Sequence, residues 1–142
     1  LQPAMLGNTT FAGRIARLSD DSAFTALAMR DQPVADLIRE TYQRILSRDP
    51  SEAELRRYTA LLEPGYEGRK TGAEPLPWRP LTTKTVSWAN HLNPDASTAI
   101  LELEKQVKPG DPPTPQITAH WRERMEDMIW TLMLSPEFLF AP

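Results

Sequence analysis

Cysteine is absent from the 142 residues, which excludes disulfides, thiolate zinc sites, iron–sulfur clusters, a cysteine nucleophile and haem attachment through a C-x-x-C-H run. No cofactor is implied by any remaining motif. Long apolar runs are missing as well. The longest nearly apolar stretch, Met128 to Leu134, is interrupted by Thr131 and falls far short of the roughly 18 to 20 residues that span a bilayer. No transmembrane segment is expected in this piece. Charge of one sign is lacking too: Lys and Arg number 16 against 19 Asp and Glu, a net of −3. The charges are interspersed, with neither a basic arm nor an acidic tail, so the chain is not built to grip nucleic acid.

What is present is a composition of 40% hydrophobic and 25% charged side chains, enough to close one core, and the length predicts one compact domain, 1–142. Residue 1 is Leu rather than Met and no signal peptide precedes it, so a piece of a longer polypeptide is expected. Most of the 14 prolines fall between Pro64 and Pro115, about twice the usual frequency overall. With Gly65, Gly68, Gly72 and Gly110 they divide the chain into a helical front (1–63), a Pro-rich insertion with one helix (64–116) and a C-terminal helix with its tail (117–142).

In the front, Asn8 is placed to cap a helix carrying Phe11, Ile15 and Leu18, with Arg14 and Arg17 facing away. A short helical stretch follows around Phe24 to Met29. Asp31 before Pro33 reads as the cap of a longer helix. Val34, Leu37, Ile38, Thr41, Tyr42 and Ile45 share one face of it, and Glu40 can meet Arg44 on the other. Ser51 with Glu54 forms a capping box ahead of Leu55, Tyr58 and Leu62, and Pro64 with Gly65 ends that helix. The segment from Gly65 to about Leu81 reads as irregular. Asn93 before Pro94 opens a helix in which Ala96, Ile100, Leu103 and Val107 repeat at helical spacing, up to Pro109 and Gly110.

The last helix is predicted to start near Thr114 or Thr118 and to run to about Leu134. Its stripe is Ile117, Trp121, Met125, Met128, Ile129 and Leu132; His120, Arg122, Glu123, Arg124, Glu126 and Asp127 lie mostly outside it. Trp130, Met133 and Leu134 fall off the stripe, which makes the final two turns apolar nearly all round and predicts burial in the fold or against a partner. Ser135-Pro136-Glu137 breaks the helix and restarts one short turn that sends Phe138, Leu139 and Phe140 back over the core. The expectation is an all-α fold, a small irregular helical bundle with a long Pro/Gly-rich loop insertion and a central C-terminal helix. Trp121, Met125, Met128, Ile129, Trp130, Met133, Phe138 and Phe140 are its candidate core or interface residues.

Chemistry-bearing patterns are weak. His120, Glu123 and Asp127 share part of a helical surface, but a di-metal bundle needs a second Glu/His pair from other helices, and His91 is the only other histidine; a solvated charged face explains them. Gly68-Arg69-Lys70-Thr71-Gly72 lacks the spacing and the preceding strand of a phosphate loop and reads as a surface turn. Ser135 has no G-x-S-x-G surroundings. Asp20 with Asp21, and Glu52 with Glu54, read as acids favouring helix beginnings. Tyr66, Trp78 and Trp88 are candidate loop contacts, although an indole between prolines is more often pinned by burial than held out as a ligand platform.

Two stretches carry a family likeness. Ile45-Leu46-Ser47-Arg48-Asp49-Pro50-Ser51 with Glu54-Leu55, and Glu126-Asp127-Met128-Ile129-Trp130 through Leu134-Ser135-Pro136-Glu137-Phe138-Leu139-Phe140, resemble the C-terminal part of the planctomycete-type domain of unknown function found downstream of c-type cytochrome-like regions. Met5-Leu6-Gly7-Asn8, with Phe11 and Arg14, is similar to the start of that family's final helical portion. The resemblance implies an all-helical module of an exported, periplasmic or cell-surface protein. It implies no catalytic set. The expected function is a non-catalytic structural or interaction module, partnered by the remainder of a longer polypeptide or by another subunit. The alternatives are part of an exported carbohydrate-processing or carbohydrate-binding system, with Tyr66, Trp78 and Trp88 as stacking faces, and a scaffold beside a c-type cytochrome domain in electron transfer.

Overall fold

The computed structural model describes residues 9–77, 95–107 and 111–139. Asn8, Trp78, Trp88, His91, Asn93 and Phe140 lie outside the described residues, and so do the readings made of them. The fold is all-α, a small helical bundle with seven helices and no sheet among the described residues. They are α1 (Thr9–Ala16), α2 (Ala23–Ala28), α3 (Val34–Leu46), α4 (Glu52–Leu62), α5 (Ala96–Val107), α6 (Ala119–Met133) and α7 (Pro136–Leu139). The chain divides into two units, one of Leu1–Leu76 with Pro113–Pro142 and one of Pro77–Pro112. The length-based expectation of one domain, 1–142, stands beside this division into two units. The insertion also begins later and ends earlier than 64–116, because residues 65–76 and 113–116 are bonded into the larger unit.

In that larger unit α6 packs against α1, α3, α4 and α7, and α3 packs against α2, α4 and α7. The stripe read from periodicity is buried without exception: Ile117, Trp121, Met125, Met128, Ile129 and Leu132. Trp121 is 1% exposed and its Nε1 donates to Leu62 O at 2.7 Å. Arg124 Nη1 donates to Pro64 O at 2.7 Å. α6 thus satisfies the carbonyl of the last residue of α4 and that of Pro64 just beyond it. Opposite them, Leu37, Ile38, Thr41, Tyr42 and Ile45 of α3 are buried, and Tyr42 meets Tyr58 edge-on, with ring centroids 5.9 Å apart.

The caps decide where the helices begin. Ser51 accepts from Glu54 N while Glu54 reaches back to Ser51 N, a complete capping box. Ser22, not an aspartate, caps α2 by accepting from Phe24 N. Asp31 does not cap α3: Pro33 occupies the N-cap position without a side-chain bond, and the Asp31 carboxylate pairs with Lys70. Glu40 pairs mainly with Arg30 at 2.8 Å and only at 4.0 Å with Arg44. Gly65 takes a positive φ of 82° just beyond α4, the conformation that favours glycine there.

Several apolar readings are corrected. Ile15 is 37% exposed whereas Arg14 on the same helix is half-buried, so the inward face of α1 turns toward Ala16 and Leu18. Leu134 is 38% exposed and Trp130 half-buried, while Met133 is buried. The final turns of α6 are therefore covered on most sides but open at Leu134. Phe138 of α7 is half-buried against the core. In the smaller unit, Ile100 and Leu101 of α5 are exposed.

Candidate functional site

Three polar knots organise the larger unit, and each joins stretches far apart in sequence. The first surrounds Arg69, which is 3% exposed. Its Nε donates to Ala28 O at 2.8 Å, Nη1 to Tyr66 O at 2.8 Å and Nη2 to Arg30 O at 2.6 Å. The guanidinium lies 3.7 Å from the Tyr66 ring centroid and 5.8 Å from that of Trp121. A buried cation is tolerated here because carbonyl dipoles, two of them at or just past the C-terminal end of α2, and two aromatic faces replace its water. The surface turn expected at 68–72 is therefore wrong at its second residue, and no period marks a lone arginine as buried. Tyr66 is likewise not a stacking face for a ligand: it is 6% exposed and its hydroxyl donates to Gln32 O at 2.7 Å.

The second knot centres on Asp20. Its carboxylate accepts from Thr114 Oγ1, from Gln116 Nε2 at 3.0 Å and from Leu76 N at 2.9 Å. Burial raises the Asp20 carboxyl, yet the three bonds outweigh it and hold the group below its ordinary value. Asp20 therefore serves two loops rather than a helix dipole. Nearby, Thr114 N donates to Leu18 O at 2.8 Å and Leu18 N donates to Glu126 Oε1 at 2.9 Å.

The third knot lies at the α3–α4 corner. Arg48 gives Nε and Nη2 to Glu137 at 2.6 and 2.8 Å, and Nη1 and Nη2 to Glu54 at 3.0 and 2.9 Å. Nη1 also reaches Asp49 O at 2.9 Å, and the guanidinium sits 5.2 Å from the Tyr42 ring centroid. The Arg48 bonds, helped by those from Ser51, hold the Glu54 carboxyl down to about 2, and Arg48 lowers Glu137 in the same direction. Ser135 donates to Leu132 O and accepts from Phe138 N, so it caps α7 and is not aimed outward as a nucleophile. The two stretches that carry the family likeness, 89 residues apart at Arg48 and Glu137, meet here.

A cleft of about 360 Å³ opens beside this corner, with Tyr42, Tyr58, Leu46 and Leu132 among its lining, Arg57 at 5.9 Å from the Tyr58 ring centroid, and Thr131. All five Arg48 N–H donors are spent on Glu54, Glu137 and Asp49, so the cleft offers a ligand no bond from that guanidinium. On α6, Arg124 Nη2 and His120 Nε2 lie 3.0 Å apart. Because arginine can only donate, this engages the lone pair a metal ion would need. Glu123 and Asp127 are exposed, and no group of three His, Cys, Asp or Glu gathers among the described residues. No helix among the described residues is long and apolar enough to cross a membrane.

Compared with family models, with curated proteins and with solved structures, the chain matches none.

Proposed function

We propose that this chain is a non-catalytic structural and interaction module of a larger exported or cell-surface protein or assembly, partnered by the remainder of the polypeptide or by another subunit. One observation carries the reading: Arg69, Asp20 and Arg48 are each consumed in tying distant stretches of the same unit together. Groups committed in this way rigidify a body rather than stand ready to exchange protons or bind substrate. Export, and a place beside c-type cytochrome regions, rest on the resemblance of the two motif stretches that meet at Arg48. The carbohydrate alternative is weakened by the loss of Tyr66 as a stacking face.

The test compares amide exchange of the isolated chain with that of the same chain inside the assembly purified from its source. Added protection over surfaces holding Ile15 and Leu134, or over Ile100 and Leu101, is the expected outcome. Unchanged exchange throughout, or turnover of a substrate by the isolated chain that a single substitution abolishes, overturns the proposal.

A further inference from the structure

We infer that α7 is a displaceable strap: Glu137 fills, from within the chain, a carboxylate fork on Arg48, and an acidic partner peptide, a glutamate followed by a large apolar side chain, takes that place when the strap swings out. The inference rests on the interaction reading above and names the chemistry of one partner.

Little holds the strap down. α7 spans only Pro136–Leu139 and contributes no buried residue, and four residues are too few to keep a helix by themselves. Pro136 and Glu137 are exposed, while Phe138 and Leu139 are half-buried, the phenyl ring against the core. The backbone bonds of α7 are local, from the Phe138 and Leu139 amides to Ser135 O at 3.1 Å. Among the described residues, its hydrogen bonds to a distant stretch come through Glu137, from Arg48 Nε at 2.6 Å and Nη2 at 2.8 Å. The two side chains are 35% and 44% exposed, so water competes for both partners and the pair adds little net stability.

The fork itself stays when the strap leaves. Its other edge is bound to Glu54, through Nη1 at 3.0 Å and Nη2 at 2.9 Å, and Glu54 is fixed in turn by the Ser51 amide, 2.7 Å away at the start of α4. Nη1 also holds Asp49 O, and the Tyr42 ring centroid lies 5.2 Å from the guanidinium. Release of Glu137 therefore leaves Nε–H and one N–H of Nη2 side by side, the edge that a planar guanidinium offers to a carboxylate. An incoming carboxylate exchanges one tie for another, so Arg48 is as fully bonded to the partner as to the strap.

The surroundings favour the same occupant. Ser135, Pro136 and Glu137 form one wall of the cleft of about 360 Å³, which Leu46, Leu132 and Arg57 also line. Withdrawal of the strap widens this cleft and vacates the place on the core that Phe138 half-covers. Charge points the same way. With Glu137 in place, Arg48 and Arg57 face Glu54 and Glu137; without it, one positive charge is in excess. Arg57 is exposed, touches the Tyr58 ring and pairs with no carboxylate among the described residues. The vacated place calls for one carboxylate with an apolar side chain beside it, which is what Glu137 and Phe138 supply.

The strap is tested on the full chain. Because the sequence has no cysteine, Leu46→Cys places a single thiol in the cleft lining, and its rate of reaction with a thiol reagent reports opening. Adding Glu137→Gln is expected to raise that rate at least about tenfold with helical circular dichroism unchanged. The cysteine-free chain gives a second readout, a rise of the same size in exchange at the Phe138 and Leu139 amides of Glu137→Gln. Equal rates in both measurements overturn the strap. The occupant is tested with a fluorescent peptide copying residues 134–139, its ends blocked, and with the same peptide carrying glutamine for glutamate. Glu137→Ala, freed of its own carboxylate, is expected to bind the glutamate peptide at least about tenfold more tightly than the glutamine peptide, and at least about tenfold more tightly than the unaltered chain does, where the strap competes. Arg48→Met added to Glu137→Ala should erase the preference. Absence of binding, equal binding of the two peptides, or a preference that survives the loss of Arg48 overturns the acidic partner, and so does displacement of the peptide by equimolar acetate. These readouts use the isolated chain, so the strap can fail while added protection in the assembly stands, and the reverse.

Discussion

Replacing Arg69 by methionine keeps much of the side-chain volume and removes the charge, three carbonyl bonds and the contact with the Tyr66 face. Each buried carbonyl left without its donor costs about 1 kcal/mol at least, and loss of the cation over a desolvated ring adds about 1 kcal/mol more. The gain from no longer burying a guanidinium offsets part of this. The net loss is expected at about 3 to 5 kcal/mol, the range seen when one member of a buried charged set is removed. That is a large share of the 5 to 15 kcal/mol typical of a domain. Urea unfolding followed by circular dichroism measures it, with the slope unchanged if the denatured state is the same. Arg69→Lys is the informative companion. An ammonium retains the charge but cannot address three carbonyls with the geometry of the planar fork, so it recovers less than half of the loss. A methionine variant within about 1 kcal/mol of the parent, or full rescue by lysine, refutes the claim that the fork holds α2, the 66–69 turn and α6 in one cluster.

The remaining expectations concern single elements. Glu54 titrates in the fold near about 2 against an ordinary value of 4.5, so its stabilising contribution is complete above pH 4.5 and is lost as the pH falls toward 2. Glu137 shifts in the same direction, and Arg48→Met should flatten that acid limb of the stability profile; an unaltered limb contradicts the clasp. Trp121→Ala is expected to cost about 3 to 5 kcal/mol and Trp130→Ala less than half as much, since only the first indole is fully buried; equal losses in thermal unfolding reverse the assignment of the central side chain. Ser51→Ala removes one bond of the capping box and should destabilise by about 1 kcal/mol in urea, with no effect on the Arg48 corner at neutral pH. Thr25 Oγ1 is buried and meets no hydrogen-bond partner among the described residues. Thr25→Val should hold or raise the midpoint, and a loss above about 1 kcal/mol would show that the hydroxyl is satisfied by water.

Much of the helical plan was legible in the residues because helices are local. The stripe from Ile117 to Leu132 follows a 3.6-residue period, the Ser51 and Glu54 box is a three-residue pattern, and Pro64 with Gly65 is a stop that needs no distant partner. Cover for the last two turns of α6 was expected from their apolar character, and it is found at Met133 but not at Leu134, which is 38% exposed. The sites were less legible. Arg69, Asp20, Arg48 and Glu126 look like ordinary surface charges in a linear reading, and a surface turn or a helix-beginning acid is the commoner fate of each type.

By themselves, then, the residues determined the main helices, the Ser51 and Glu54 capping box, the inward face of α6 and the exclusion of cysteine chemistry, because each of these depends on backbone preference or on periodic apolar spacing. Tertiary structure alone decided that Arg69 is buried, that Asp20 bonds Leu76, Thr114 and Gln116, that Arg48 reaches Glu137, and that the chain divides into two units. Those outcomes depend on carbonyls, hydroxyls and carboxylates brought together across 39 to 96 residues of chain. A charged side chain becomes a structural tie only when folding supplies enough partners to replace its water.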